Sequence, residues 1–159
     1  MQYVGVVVHL VRYMNGIPQI LFLYRAGGQS ANQWWPIAGK IMEGESASSA
    51  AFREIKEETG LAPQKLYDTE MSVPHLGSDA APEKRICIYV GFVSPNDKIR
   101  LNYEHSDFKW LALEEAKNIV TARAARATEY VLNRIKKKFI ENKPIESKRI
   151  FPTDKSIMM

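Results

Sequence analysis

Between Gly39 and Leu61 the chain reads GKIMEGESASSAAFREIKEETGL, a stretch that few backbone arrangements can satisfy. Its centre is Arg53, Glu54, Ile55, Lys56, Glu57 and Glu58. A helix advances about 100° per residue, so Glu54, Glu57 and Glu58, at i, i+3 and i+4, bring three carboxylates toward one face. Carboxylates that close repel, and crowding them costs stability unless a cation lies among them. Hard oxygen donors of this kind suit Mg2+ or Mn2+. The flanks delimit the helix. Gly39 permits a backbone turn that a side chain would obstruct. Glu45 and Ser46 stand at the helix start, an acid and a hydroxyl placed to meet unpaired N–H groups and the positive dipole end. Gly60 ends the helix and apolar Leu61 follows. Ala47, Ala50 and Ala51 share the azimuth of the acids, so another part of the chain can approach that face closely. Arg53 has two partners within reach: Glu57, four residues on, or Glu45, by folding back.

A charged, solvated helix between two glycines is the competing reading. It accounts for the acids singly, but not for their joint spacing with the glycines and the arginine.

The remainder of the chain sets the frame. At 159 residues and 45% hydrophobic content it can build one compact core and is short for two. The apolar stretch Tyr3 to Val11 lacks a basic leader and is too short to span a membrane, so no anchor is expected. Cys87 is the sole cysteine, which excludes an intramolecular disulfide and fits a reducing cytoplasm; it lies in an apolar run where a buried, inert thiol is expected. The net charge of +4 is uneven. Arg134, Lys136, Lys137, Lys138, Lys143, Lys148 and Arg149 cluster near the C-terminus, as a solvated helix end or a nucleic-acid footprint, and the former is the default.

Segments rich in β-branched and aromatic residues alternate with helical ones. Val4 to Tyr13 and Gln19 to Tyr24 read as antiparallel neighbours joined through Asn15-Gly16. A polar loop, 27–32, precedes Trp34 to Ile37. Lys65 to Val73 and Arg85 to Val93 read as strands separated by loop 77–82, with Ile99 to Leu101 and Phe108 to Leu111 as shorter ones. Glu114 to Val120 and Ala122 to Glu141 read as helices, the second with Tyr130, Val131, Ile135 and Phe139 at helical spacing on a packing face. Beyond Pro144 the pattern fades into a tail. These segments predict an α/β chain with one mixed sheet and helices packed against it, spanning residues 1–143, plus a C-terminal extension over 144–159.

The spacing of Gly39, Glu45, Arg53, Glu54, Glu57, Glu58 and Gly60, with aliphatic Ile55 and Leu61, resembles the Nudix box at every defined position. The resemblance implies an α/β/α sandwich in which the box forms a loop-helix-loop. It also implies hydrolysis of a pyrophosphate link in a nucleoside-diphosphate derivative, with Mg2+ or Mn2+. By the same resemblance Glu57 and Glu58 are metal ligands, the Gly39 carbonyl contributes, Glu54 is a ligand or the base, and Glu45 and Arg53 are supports. Trp35-Pro36 before Ala38-Gly39 resembles the family's approach to the box, with Ala-Gly in place of Gly-Gly. Tyr103-Glu104-His105 leading to Phe108-Lys109-Trp110-Leu111 resembles the segment that projects a further acid toward the metal, which makes Glu104 a second candidate base.

Candidate substrate contacts are Arg25 and Lys40 for phosphate oxygens, with Lys84 and Arg85 behind them, and His105 beside Glu104. Trp34 and Trp35, adjacent in an extended strand, face opposite sides, so one enters the core and the other is placed to line the site or an interface. His9 and His75 have no such context. Gly77 and Ser78 occupy the region where a proline or tyrosine marks family members acting on ADP-ribose or diadenosine polyphosphates. The segment around Glu104 is similar instead to the dATP and dihydroneopterin triphosphate pyrophosphatases. The expectation is therefore a nucleoside or pterin triphosphate cleaved to monophosphate and pyrophosphate. A sugar nucleotide or dinucleoside polyphosphate is the alternative substrate. A non-catalytic nucleotide- or RNA-binding module, and an interaction protein in which the tail after Pro144 joins subunits and the box is vestigial, are the rivals from other classes, and the intact set of acids argues against both; a homodimer is open to the enzyme as well.

Overall fold

The computed structural model describes residues 1–27, 32–75, 83–144 and 146–152. Two strands open it, β1 (Gln2–Met14) and β2 (Ile17–Arg25), paired antiparallel through a turn in which Asn15 and Gly16 have φ of 52° and 79°. Two consecutive positive φ values give the turn whose twist matches a right-handed hairpin, which is why Asn-Gly stands there. Next come β3 (Trp34–Trp35), β4 (Ile37–Lys40), α1 (Ala47–Thr59), β5 (Lys65–Pro74), β6 (Lys84–Phe92), β7 (His105–Ala112), α2 (Leu113–Ala116) and α3 (Ala122–Ile135). A π-helical segment, Lys136–Glu141, prolongs α3, and a last strand, β8 (Arg149–Phe151), follows.

One mixed sheet runs in the order β3-β2-β1-β6-β5-β8, with β1 and β6 parallel. Along β1 the side chains alternate between two layers. Val6, Val8 and Leu10 join Ala50, Ala51 and Ile55 of α1 in one buried cluster. Val7 and Val11 join Ala124, Val131, Leu132, Ile135 and Phe139 in the other. This period of two builds the expected α/β/α sandwich. One long edge of β1 is divided between partners: Gly5 to Val8 pair with β4, and Val11 to Met14 pair with β2. β7 in turn lies on β2, and its first residue, His105, is opposite Arg25. The fork brings β4, the start of β7 and α1 to one end of the sheet.

Several expectations are corrected. Ile99 to Leu101 is not a strand. Its backbone is tied to the end of α1, with the Arg100 amide donating to the Thr59 carbonyl at 2.8 Å. In place of the expected Glu114 to Val120, the helix is Leu113–Ala116, after which turn bonds of the i to i+3 type tighten the chain. Tyr130 does not share the packing face of α3; it is exposed, while Leu132 takes the buried place beside Val131. The chain beyond Pro144 is no tail throughout. Glu146–Lys148 form a 3-10 turn, and β8 adds to β5. Phe151 packs on Phe52 of α1 with ring centroids 5.0 Å apart. Ile150 and Phe151 are single apolar residues in a polar segment, too few to produce a period. Loop 77–82 and, within the earlier polar loop, positions 28–31 lie outside the described residues, as does Gly77-Ser78.

Candidate active site

The start of α1 sets the site's rigid side. Ser46 caps the helix, its hydroxyl accepting from the Ser49 amide at 3.1 Å, and Gly60 closes it with φ of 72° and an N–H bond to the Lys56 carbonyl. Glu45 does not meet the helix N–H groups. Its carboxylate accepts the Met42 amide at 3.0 Å and both arms of the Arg53 fork, Nε at 2.7 Å and Nη2 at 2.9 Å. A paired fork outcompetes a lone helix amide because both partners are charged and two bonds form together. Arg53 thus takes both options the sequence left open, and more. Nη1 reaches Glu54 at 2.8 Å and Glu57 at 3.2 Å, and Nη2 reaches the Lys40 carbonyl at 2.9 Å. The Arg53 bonds, with the Met42 amide second, hold Glu45 down to about 2, and Glu45 in return raises the arginine's pKa.

The three acids of the helix are not equivalent. Glu54 and Glu58 are buried, whereas the Glu57 side chain is 53% exposed and swings toward Arg53. Glu58 is the outlier of the molecule. Burial first, then a shared hydrogen bond and like charge from Glu54, and then the charge of Glu104, push it up to about 10. One of its oxygens, Oε1, lies 3.4 Å from His105 Nε2; the other, Oε2, is buried with no partner. His105, expected as a substrate contact, is itself buried and lies against Glu58 and Asn102. Desolvation lowers its pKa.

Gly39 lies within β4, opposite Val6, with no positive φ, so the expected turn is absent. Its requirement is space: a Cβ there would fall on the Glu54 carboxylate. Gly5 makes room in the same way, a layer behind, since a Cβ on it would come 2.9 Å from the Gly39 carbonyl oxygen. Sequence reading missed Gly5, which sits unmarked in an apolar run. It also missed Asn102, whose signal is its place two residues before Glu104, the spacing of a side chain that caps a turn.

The other candidates fall into two groups. Glu104 is drawn to the site, its Oε2 lying 3.5 Å from Arg25 Nη2, with both side chains about one-third exposed. The Lys40 side chain, at the end of β4, is exposed, while its carbonyl is held by Arg53. Arg85 is occupied elsewhere, its Nε and Nη2 bonding Ser72 across β5 at 2.6 and 2.7 Å, and Lys84 lies beside it at the start of β6. Trp34 and Trp35 are both half-buried and both pack against the α3-side cluster. Trp34 further carries Lys109 Nζ over its ring at 4.7 Å and Tyr24 at 5.1 Å. His9 is a buried core residue beside Phe22, and Cys87 is only half-buried, its thiol pushed up by desolvation.

Among the described residues no three His, Cys, Asp or Glu side chains converge into a ready-made metal cage. The acids are held by Arg53 and His105 instead. The donor set nevertheless fits a hard divalent cation: a buried carboxylate oxygen of Glu58 without a partner among the described residues, the adjoining Glu54, and the carbonyl of Gly39, whose missing side chain leaves room for Glu54.

A mixed sandwich that gathers buried glutamates, an arginine clamp and a glycine strand at one end defines a phosphate-anhydride hydrolase. The chain belongs to the Nudix family: the family's NUDIX domain matches residues 3–132. It is 31% identical over 122 residues to the asymmetrical bis(5'-nucleosyl)-tetraphosphatase of Mus musculus, covering 76% of this chain and 82% of that one. It is likewise 31% identical over 103 residues to nucleoside triphosphatase NudI of Klebsiella pneumoniae, covering 59% of this chain and 72% of that one. An Ap4A hydrolase of C. elegans in a binary complex superimposes with a TM-score of 0.68 at 25% identity, over 84% of this chain and 96% of that one. The chain is thus a Nudix pyrophosphohydrolase acting on nucleotide derivatives, of a family that uses divalent metals. These relatives do not narrow it to the dATP and dihydroneopterin triphosphate pyrophosphatases. No helix among the described residues is long and apolar enough to cross a membrane.

Proposed function

We propose that this chain hydrolyses a pyrophosphate bond within the phosphate chain of a nucleoside polyphosphate, with a dinucleoside tetraphosphate as the first candidate and a nucleoside triphosphate as the second. The observation that carries the chemistry is the buried Glu58 carboxylate beside Glu54, with its Oε2 lacking a hydrogen-bond partner among the described residues. The order of candidates rests on the tetraphosphatase relatives, which reverses the expectation of a pterin or deoxynucleoside triphosphate. A sole, half-buried cysteine favours a reducing cytoplasm as the place of action.

Glu58, Glu54, Glu57 and the Gly39 carbonyl would hold the cation. When bound, such an ion neutralises phosphate charge and makes water more acidic. Arg53 positions the acids, being fixed on one side by Glu45 and on the other by the Lys40 carbonyl. Arg25 and Lys40 meet phosphate oxygens. Glu104 serves as base in preference to Glu54, because Glu54 is buried with Oε1 committed to Arg53, while Glu104 is partly exposed with only a 3.5 Å contact to Arg25. The water oxygen bonds to phosphorus, the bridging oxygen leaves with the other phosphate fragment, and the Glu104 carboxylate takes the proton released. Positioning and charge compensation suffice for such a displacement, and no nucleophilic side chain is needed.

The test is product analysis with Mg2+ across diadenosine tetraphosphate, dATP, dihydroneopterin triphosphate and a sugar nucleotide. The proposal expects the tetraphosphate to be cut asymmetrically, to nucleoside triphosphate and monophosphate, with the highest kcat/KM. Preferred turnover of the sugar nucleotide, or turnover of none, would overturn it.

A further inference from the structure

The residue that links the acid inside the box to the acid outside it is Asn102. Its Oδ1 accepts the Glu104 amide at 3.2 Å, and the same oxygen lies 3.1 Å from His105 Nδ1. Its backbone carbonyl accepts the His105 amide at 3.3 Å. An amide side chain can be built either way round, but here the Glu104 N–H decides, since only oxygen can accept from it. The facing nitrogen of His105 must then be the donor. With Nδ1–H given to Asn102, the unprotonated Nε2 faces Glu58 Oε1, 3.4 Å away, where it can accept but not donate. The turn that does this leaves Tyr103, between them, 92% exposed, while the Glu104 carbonyl accepts the Ala26 amide at 2.9 Å, so Asn102 and the end of β2 hold the segment together.

We infer that Asn102 is a positioning residue for the reaction: one side-chain oxygen bonds the backbone that carries Glu104 and sets the tautomer and orientation of the His105 ring that lies against Glu58. Free histidine side chains favour the Nε2–H tautomer, so the Nδ1–H form at His105 is imposed by its neighbour. The same logic holds wherever a second partner sets which imidazole nitrogen faces a ligating group. The inference leans on the roles proposed for Glu58 and Glu104 only for its effect on turnover. The tautomer is independent of them.

The experiment is a long-range 1H–15N spectrum of the full chain labelled at histidine, without metal and near neutral pH, with His105 assigned through His9 and His75 variants. Wild type is expected to show a pyrrole-type Nδ1 at His105. Asn102→Leu, which keeps the size and removes the acceptor, is expected to lose that signature and roughly tenfold in kcat, the scale of one net hydrogen bond, with KM for substrate little changed. Asn102→Asp, which can still accept both bonds, is expected to keep the tautomer and most of kcat. A pyridine-type Nδ1 in wild type would overturn the inference, as would Asn102→Leu with wild-type tautomer and rate. If the leucine variant does not fold, the wild-type and Asn102→Asp spectra still decide. If the tautomer is as expected but no nucleotide is turned over, the proposed function fails, and with it the role in turnover, while the control of the His105 tautomer by Asn102 stands.

Discussion

Gly39→Ala isolates what the glycine strand contributes. The methyl group would occupy the volume of the Glu54 carboxylate, and β4 cannot retreat, because Gly39 is paired to Val6 in the sheet. Glu54 must therefore leave its position and its 2.8 Å bond to Arg53 Nη1. Overpacking a filled site costs about 1–3 kcal/mol, and losing a charge-assisted hydrogen bond costs about 1.5–3 kcal/mol. Because Glu54 can escape some of the clash by rotating, the two overlap, and a net loss of about 2–4 kcal/mol in urea unfolding is expected. A displacement of about 1 Å in a positioned group lowers kcat by about 100-fold. Gly91→Ala is the matched control. Its Cβ meets the Leu10 side chain at 2.7 Å in the core, away from the acids, so it should lose stability while keeping kcat in the folded fraction. Wild-type kcat in Gly39→Ala, or equal kcat losses in the two variants, would refute the claim that Gly39 is there to admit Glu54.

His9 gives a pH prediction. Its pKa falls from 6.5 to about 4 on folding because the buried ring is desolvated, so its neutral form is favoured in the native state. That contribution is complete above pH 6.5 and is lost as pH falls toward 4, about 3 kcal/mol in all; in urea unfolding between neutral pH and about pH 4, His9→Leu should be spared that loss. Arg53→Lys keeps the charge but not the fork that binds Glu45, Glu54 and the Lys40 carbonyl, so kcat should fall at least tenfold, where a wild-type rate would show that charge alone suffices. Glu104→Gln should lower kcat by about 100-fold or more while Mg2+ binding by calorimetry is retained, and the reverse pattern would return the role of base to Glu54. Mg2+ should raise the thermal midpoint of wild type and not of Glu58→Gln, because an ion bound only to the native state stabilises it by mass action.

The helical part of the box was legible because its residues answer local demands: a cap at Ser46, a left-handed Gly60, acids at helical spacing. Its partners were not, because they are set by pairing between distant strands. Nothing near Gly5 in the sequence says that its missing side chain clears the Gly39 carbonyl, since the two meet only when β4 lies on β1. His105 reads as a polar neighbour of Glu104, yet the β2–β7 register and Asn102 turn it inward to Glu58. Glu45 looked like a helix-terminus acid by position, and the nearby guanidinium claimed it. The packing of Ile150 and Phe151 beyond Pro144 rests on two apolar residues whose partners lie on α1 and β5, which no periodicity can announce.

The central claim is that the buried glutamates of α1 form a pyrophosphate-cleaving site. The most direct measurement is 31P NMR of diadenosine tetraphosphate incubated with Mg2+ and either wild type or Glu58→Gln, each first shown to be folded by circular dichroism. The account predicts nucleoside triphosphate and monophosphate resonances from wild type, and substrate left intact by the variant. Equal product from both proteins would contradict it.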